Sequence, residues 1–256
     1  MKLSARLIKF LLIAALACGV TATATPPQKD KDKEKDKDHE GQRVDSGSFG
    51  VFMSGHRVGT ETFSIYQSSS GSVIKSEFKT ENDPNQAVQD SVMQLSNTGE
   101  IRRYEWKEMS PGKAESVIVP NDQFLNQRWT AGPQDKPHDQ PYLLSPSTVI
   151  LDDYFFIHRE LLVWKFLAAT CKQEKQVQCP IRQRAQFGTM DPHQHSSAPL
   201  SAEFLGREKL TFKGSPQEFN KIEFKTEAGS WLLWLDDNFM VMRIVIEGDN
   251  TEVIRD

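Results

Sequence analysis

Few residues in this chain have types and spacing suited to chemistry. Asp191-Pro192-His193-Gln194-His195 sets two imidazoles at H-x-H spacing beside a carboxylate. On a strand, His193 and His195 would share a face, as two ligands of one metal ion must, and such an ion could activate water for hydrolysis. Pro192 and the following Ser196-Ser197-Ala198-Pro199 argue for a loop instead, and the sequence offers no identifiable third ligand. Surface histidines are therefore the plainer reading. His158 and Glu160 form H-x-E within a helical stretch and lack the H-E-x-x-H of a zincin. His158 reads as a helix-face residue reaching polar partners, with a functional role open to it if it is buried beside a cavity. The carboxylate pairs Asp152-Asp153 and Asp236-Asp237 stand where helix capping and turn formation account for them. The chain has no G-x-S-x-G, no phosphate-cradling glycine loop and no dinucleotide fingerprint. The balance falls on a non-catalytic protein without a cofactor, and a metal-dependent hydrolase is the weaker alternative.

Cys171 and Cys179 bracket a short polar segment without C-x-x-C spacing. In an exported chain such a pair is expected to form a disulfide rather than a redox centre. Export is read from the first residues. Lys2, Arg6 and Lys9 precede the apolar run Leu11 to Val20, and Ala22-Thr23-Ala24 supplies a small-x-small cleavage site, so residues 1–24 read as a signal peptide. Ala15-Leu16-Ala17-Cys18 is also similar to a lipobox, which would anchor the protein through a lipidated Cys18. Residues 25–45 form a linker whose core, Lys29 to Glu40, alternates opposite charges without one apolar residue, a composition that cannot bury surface. Loss of the three leader cations would take the formal net charge from −4 to −7. With no basic cluster, nucleic acid is not expected as a partner, and membrane contact is expected only through Cys18.

The elements that would position any site lie in 46–256, one β-rich domain. Short alternating runs, from Phe49-Val51-Met53 to Ala114–Val119 and again from Ile181 to Thr226, are separated by turn chemistry such as Ser54-Gly55, Asn97-Thr98-Gly99 and Ser110-Pro111-Gly112. They predict a mainly β fold, a curved antiparallel sheet forming an open barrel or sandwich. Asp153 to Ala169 is the one convincing helix, capped by Ser147-Thr148 or Asp152-Asp153. Tyr154, Ile157, Leu161, Trp164 and Ala168 form one apolar stripe and Phe155, Leu162 and Phe166 a second, so the helix must be largely buried.

The most unusual stretch is Trp231 to Ile246, WLLWLDDNFMVMRIVI, which reads as a hairpin apolar on both faces. Trp231, Leu233 and Leu235 oppose Leu232 and Trp234. Met240, Met242, Ile244 and Ile246 oppose Phe239, Val241 and Val245. Both faces need cover, and the helix can supply one.

Three stretches carry a resemblance: FGVFMSGHRVGTETFSI with its G-x-x-x-G-T opening, TVILDDYFFIHRELLVWKF, and LWLDDNFMVMRIVI. Together they are similar to uncharacterised bacterial exported domains of the DUF3108-like family, over about Phe49 to Arg255. That resemblance implies an envelope or secreted β domain shaped like the lipoprotein carriers, with an apolar concave face. It carries no catalytic residue. The function expected is a binding module for a lipid or other hydrophobic small molecule. Its apolar lining is expected from Trp231, Trp234, Met240, Met242, Trp164 and Phe166. A structural or protein-interaction domain is the alternative.

Overall fold

The computed structural model describes residues 41–81, 85–145, 147–173, 177–248 and 250–256. The expected signal peptide, Cys18 and residues 25–40 of the expected linker lie outside the described residues, whereas its last residues, Gln42–Asp45, are strand rather than linker. Among the described residues no helix is long and apolar enough to cross a membrane.

Eight strands form a first meander: β1 (Gln42–Met53), β2 (His56–Ser68), β3 (Gly71–Thr80), β4 (Val88–Ser96), β5 (Ile101–Ser110), β6 (Glu115–Asn121), β7 (Phe124–Thr130) and β8 (His138–Tyr142). A short β9 (Val149–Ile150), the helix α1 (Ile157–Thr170) and the small ladder β10 (Lys172–Gln173) with β11 (Val177–Gln178) follow. A second meander completes the chain: β12 (Arg184–Asp191), β13 (Ser196–Phe212), β14 (Ser215–Thr226), β15 (Gly229–Leu235), β16 (Val241–Ile246) and β17 (Thr251–Arg255). The two meanders share one 15-stranded sheet because β1 pairs with β17, from Phe49 opposite Arg255 to Met53 opposite Thr251. The sheet is open and curved rather than closed, as the alternating pattern predicts. Its two outermost strands are short, and β8 carries Pro141, a residue tolerated at an edge because it has no ladder donor to offer.

Local chemistry explains the turns that hold this register. Ser54 and Gly55 link β1 to β2 with φ of 50° and 80°, the doubly positive turn whose twist suits a tight hairpin. At Gly59, the second glycine of G-x-x-x-G-T, an added Cβ would lie 2.6 Å from the Phe78 ring, so the strand passes too close for a side chain.

Inward-facing residues of both meanders meet α1 in one core. Phe63, Ile65, Ile74 and Tyr104 come from one side, Phe224, Leu233, Ile244 and Val253 from the other, and Leu162, Val163 and Phe166 from the helix. The helix is buried, as its apolar girth requires, but three consecutive charged or polar side chains are buried with it: His158, Arg159 and Glu160.

The sequence pattern misplaces several boundaries. The helix begins at Ile157 rather than Asp153. The segment around Pro192 and Ser196–Pro199, expected as a loop, is mostly strand closed by a turn at 192–195. β7 and β17 escape the pattern because Gln127 takes an inward position in one and the other has a single fully buried apolar residue, Val253.

Cys171, at the end of α1, is disulfide-bonded to Cys179. The bridge spans 8 residues and ties the helix end to β11. Replacing both cysteines by serine should lower unfolding stability by about 2–3 kcal/mol, from the regained freedom of the unfolded loop. Urea titration of the oxidised protein and the double variant measures it.

Candidate functional site

Two features can support function: a buried polar cluster around the start of α1 and a cavity beside its second half. The cluster begins with a capping problem. Neither pair of predicted caps serves the helix, since Phe156 occupies the N-cap position and makes no side-chain cap. The first-turn donors are instead met from β2. Phe156 N–H donates to Glu61 Oε2 at 2.7 Å, and Ile157 N–H lies 3.3 Å from each Glu61 oxygen. A carboxylate at a helix N-terminus satisfies orphan donors and the positive end of the helix dipole together. Ser76 Oγ adds a third contact at 2.6 Å. Complete burial pushes Glu61 up to about 7, against the pull of Ser76, the two backbone donors and the Arg159 charge.

Asp152 is freed from capping to make other bonds. Its Oδ1 accepts from Tyr154 N–H at 2.9 Å, and its Oδ2 accepts from the Tyr104 hydroxyl at 2.5 Å and lies 3.0 Å from His193 Nδ1. Burial raises the Asp152 carboxyl, but the His193 and Tyr104 contacts outweigh it and hold the group below its ordinary range. His193 Nε2 lies 3.1 Å from Gln89 Oε1, and its ring stacks on Trp106 at 4.1 Å. His195 stacks on Trp129, also at 4.1 Å. The two histidines thus sit in the β12–β13 turn on separate tryptophans. Among the described residues no group of three or more His, Cys, Asp or Glu is placed to hold a metal ion.

His158 does not reach polar partners. It is fully buried, neither ring nitrogen makes a hydrogen bond, and it packs edge-on against Tyr104 at 5.5 Å. Burial lowers it to about 3, so the ring is neutral. Arg159 donates to the carbonyls of Asp152 and Phe155 and lies over the Trp231 ring at 4.9 Å. Glu160 accepts from Val241 N–H at 2.7 Å and Arg255 at 3.2 Å, while Arg255 also grips both oxygens of Asp45 at 2.6 Å. Burial first, then the adjacent Asp45, raises Glu160 to about 9. The cluster acts as a fastener: it pins the start of α1 to β1, β2, β5, β16 and β17.

The cavity lies beside Leu161, Trp164, Lys165 and Ala168 of the helix, and no residue of the Trp231–Ile246 hairpin lines it. It has a volume of about 300 Å³. Ile65, Met93, Ile101 and Ile150 form its floor, and Leu161 and Trp164 of the first helical stripe form a wall. Its rim is polar or open, with Gln67, Asn97, Thr98 and Lys165 beside the exposed Val44 and Ala168.

Of the six residues expected to line a site, Trp164 reaches this cavity. Phe166 is fully buried in the core, and Trp231 packs against the core and Arg159. Met240 lies in the turn, its N–H held by Asp236 Oδ1 at 2.9 Å. Trp234 and Met242 join Phe212 and Phe219 in a separate cluster on the opposite face. Met242 was grouped with Ile244 and Ile246, but a bulge in the β15–β16 pairing turns it away from them. The inner face of the hairpin is covered by α1 and core residues, including a bond from Trp164 Nε1 to Phe239 O at 3.2 Å.

Sequence reasoning passed over Glu61, Tyr104 and Lys165. Glu61 left a usable signal: it shares the inward face of β2 with Phe63 and Ile65, where a carboxylate needs a partner. Tyr104 and Lys165 left none.

No family model matches the chain, so the DUF3108-like resemblance stands without one, and no curated protein matches it. Among solved structures, a DUF1089 family protein from Pseudomonas aeruginosa is similar at a TM-score of 0.43 and 8% identity, over 74% of this chain and 90% of that one. Likeness at that level assigns no function.

Two variants test the fastener. Glu61→Ala strands the first-turn donors and should cost about 1–3 kcal/mol, with Glu61→Gln costing less, by denaturant titration. Glu160 holds its proton more tightly when folded, so stability should fall as pH rises from 4.5 through about 9. Glu160→Gln mimics the protonated form and should flatten that part of the curve, read as urea midpoints from pH 5 to 9.

Proposed function

We propose that this chain is a non-catalytic binding module whose cavity beside α1 holds the apolar chain of a lipid or other small amphiphile. The observation that carries the reading is the cavity itself, a hollow of about 300 Å³ with an apolar floor and a polar rim. That volume is at the lower end of the range for small-molecule sites, and suits one chain rather than a bulky ring system. The buried fastener favours binding over catalysis, because Glu61, Asp152 and Glu160 are each engaged in holding the helix entry. Export belongs to this proposal, with the signal peptide read in 1–24 and the Cys171–Cys179 disulfide both supporting an oxidising compartment. Kinship with the DUF3108-like exported domains, and anchoring through Cys18 as the alternative, belong to it as well.

A series of straight-chain alcohols tests the reading by calorimetry. Affinity should rise about threefold to fourfold per added methylene until the cavity is full, following about 0.8 kcal/mol per methylene buried. Ala168→Trp, which places a ring at the open rim, should abolish binding with little change in stability. Length-independent affinity, or undiminished binding by Ala168→Trp, overturns the proposal.

A further inference from the structure

Lys165 sets this rim apart. It projects from the same side of α1 as Leu161, Trp164 and Ala168, and its ammonium donates to the carbonyls of Ser147 and, at 3.4 Å, Gly99. Those carbonyls belong to the β4–β5 turn and to the segment entering β9, so the ammonium spans the cavity edge between them. Arg159 and Arg255, more deeply buried, and Lys221 each have a carboxylate within 4.0 Å. Among the described residues Lys165 is in no such ion pair, although it is half-buried. Its direct partners are two neutral carbonyls, with the charge of Glu100 beyond ion-pair distance, and one of its three donors is uncommitted.

Resting on the binding module reading above, we propose that the ligand is an anionic amphiphile, its acyl chain on the Ile65–Met93–Ile101 floor and its carboxylate or phosphate against the Lys165 ammonium. The chemistry is complementary on both counts. An apolar tail replaces water over the floor, and the head group supplies the anionic contact that the ammonium lacks. Asn97, on the same rim, offers a neutral hydrogen bond to a remaining head-group oxygen, while Thr98 is held by Ser96 and Glu100. Burial holds Lys165 below the usual lysine range, opposed by the charge of Glu100, and an anion at the rim would restore its affinity for the proton. A neutral amphiphile would occupy the same floor without that gain.

The test compares decanoate, decyl phosphate and decanol on the full chain and on Lys165→Met, by calorimetry below their micelle thresholds, with thermal melts confirming that the variant is folded. The expected result is that the unaltered protein prefers an anion to decanol by about tenfold or more, as a charge-assisted hydrogen bond supplies, and that Lys165→Met removes this preference while keeping decanol affinity. Retention by decanoate alone identifies a carboxylate head group, and by decyl phosphate alone a phosphate. Equal binding of decanol and both anions by the unaltered protein overturns the head-group inference and leaves the cavity reading intact, and this comparison holds even if Lys165→Met does not fold. A parallel loss of all three in a folded Lys165→Met overturns it too. Failure of decanol and both anions alike to bind overturns both readings.

Discussion

The structure depends on solving one problem, the entry of a helix into the hollow of an apolar sheet. The first turn of any helix has N–H groups without internal partners, and here those of Phe156 and Ile157 are buried. Glu61 reaches from β2 to meet them, across 95 residues of sequence to Phe156. Around that contact, Asp152, Arg159 and Glu160 bind groups on several strands and on the entering loop. Apolar packing is tolerant of small shifts, whereas these bonds are directional. They fix where the helix starts and which way it runs. Its second half, past Glu160, has fewer such ties, and the cavity lies along that half.

The same principle separates the two faces of the Trp231–Ile246 hairpin. Leu233, Leu235, Val241 and Ile244 complete the core beneath the helix. Trp234 on the other face is met by Phe212 and Phe219 and flanked by Lys221 and Arg243 at 4.8 Å from its ring. A doubly apolar hairpin therefore needs no ligand. Helix and core cover one face, and the long β13–β14 hairpin of the same sheet covers much of the other.

Much of the fold was legible because strand grammar is local. Alternation, together with turns such as Ser54-Gly55, marked most of the first meander, and the all-round apolar character of Tyr154–Ala168 required burial. The candidate site was far less legible. Its floor residues, Ile65, Met93 and Ile101, look like any core positions, and Lys165 looks like any helix lysine. What distinguishes them is a gap between elements, and no residue type encodes a gap. Conversely, His193 and His195 look chemical in sequence, yet each stacks on its own tryptophan.

By itself the sequence determined the class of fold, the buried helix and the cysteine pair that forms the disulfide, since each follows from periodicity or residue type over a short span. Tertiary structure alone decided that Glu61, not a local residue, caps the helix, that Met242 crosses to the outer face, and that a cavity opens beside Lys165. The reason is common to all three. Each depends on where residues distant in the chain come to rest, and local pattern limits the partners a group can accept without choosing among them.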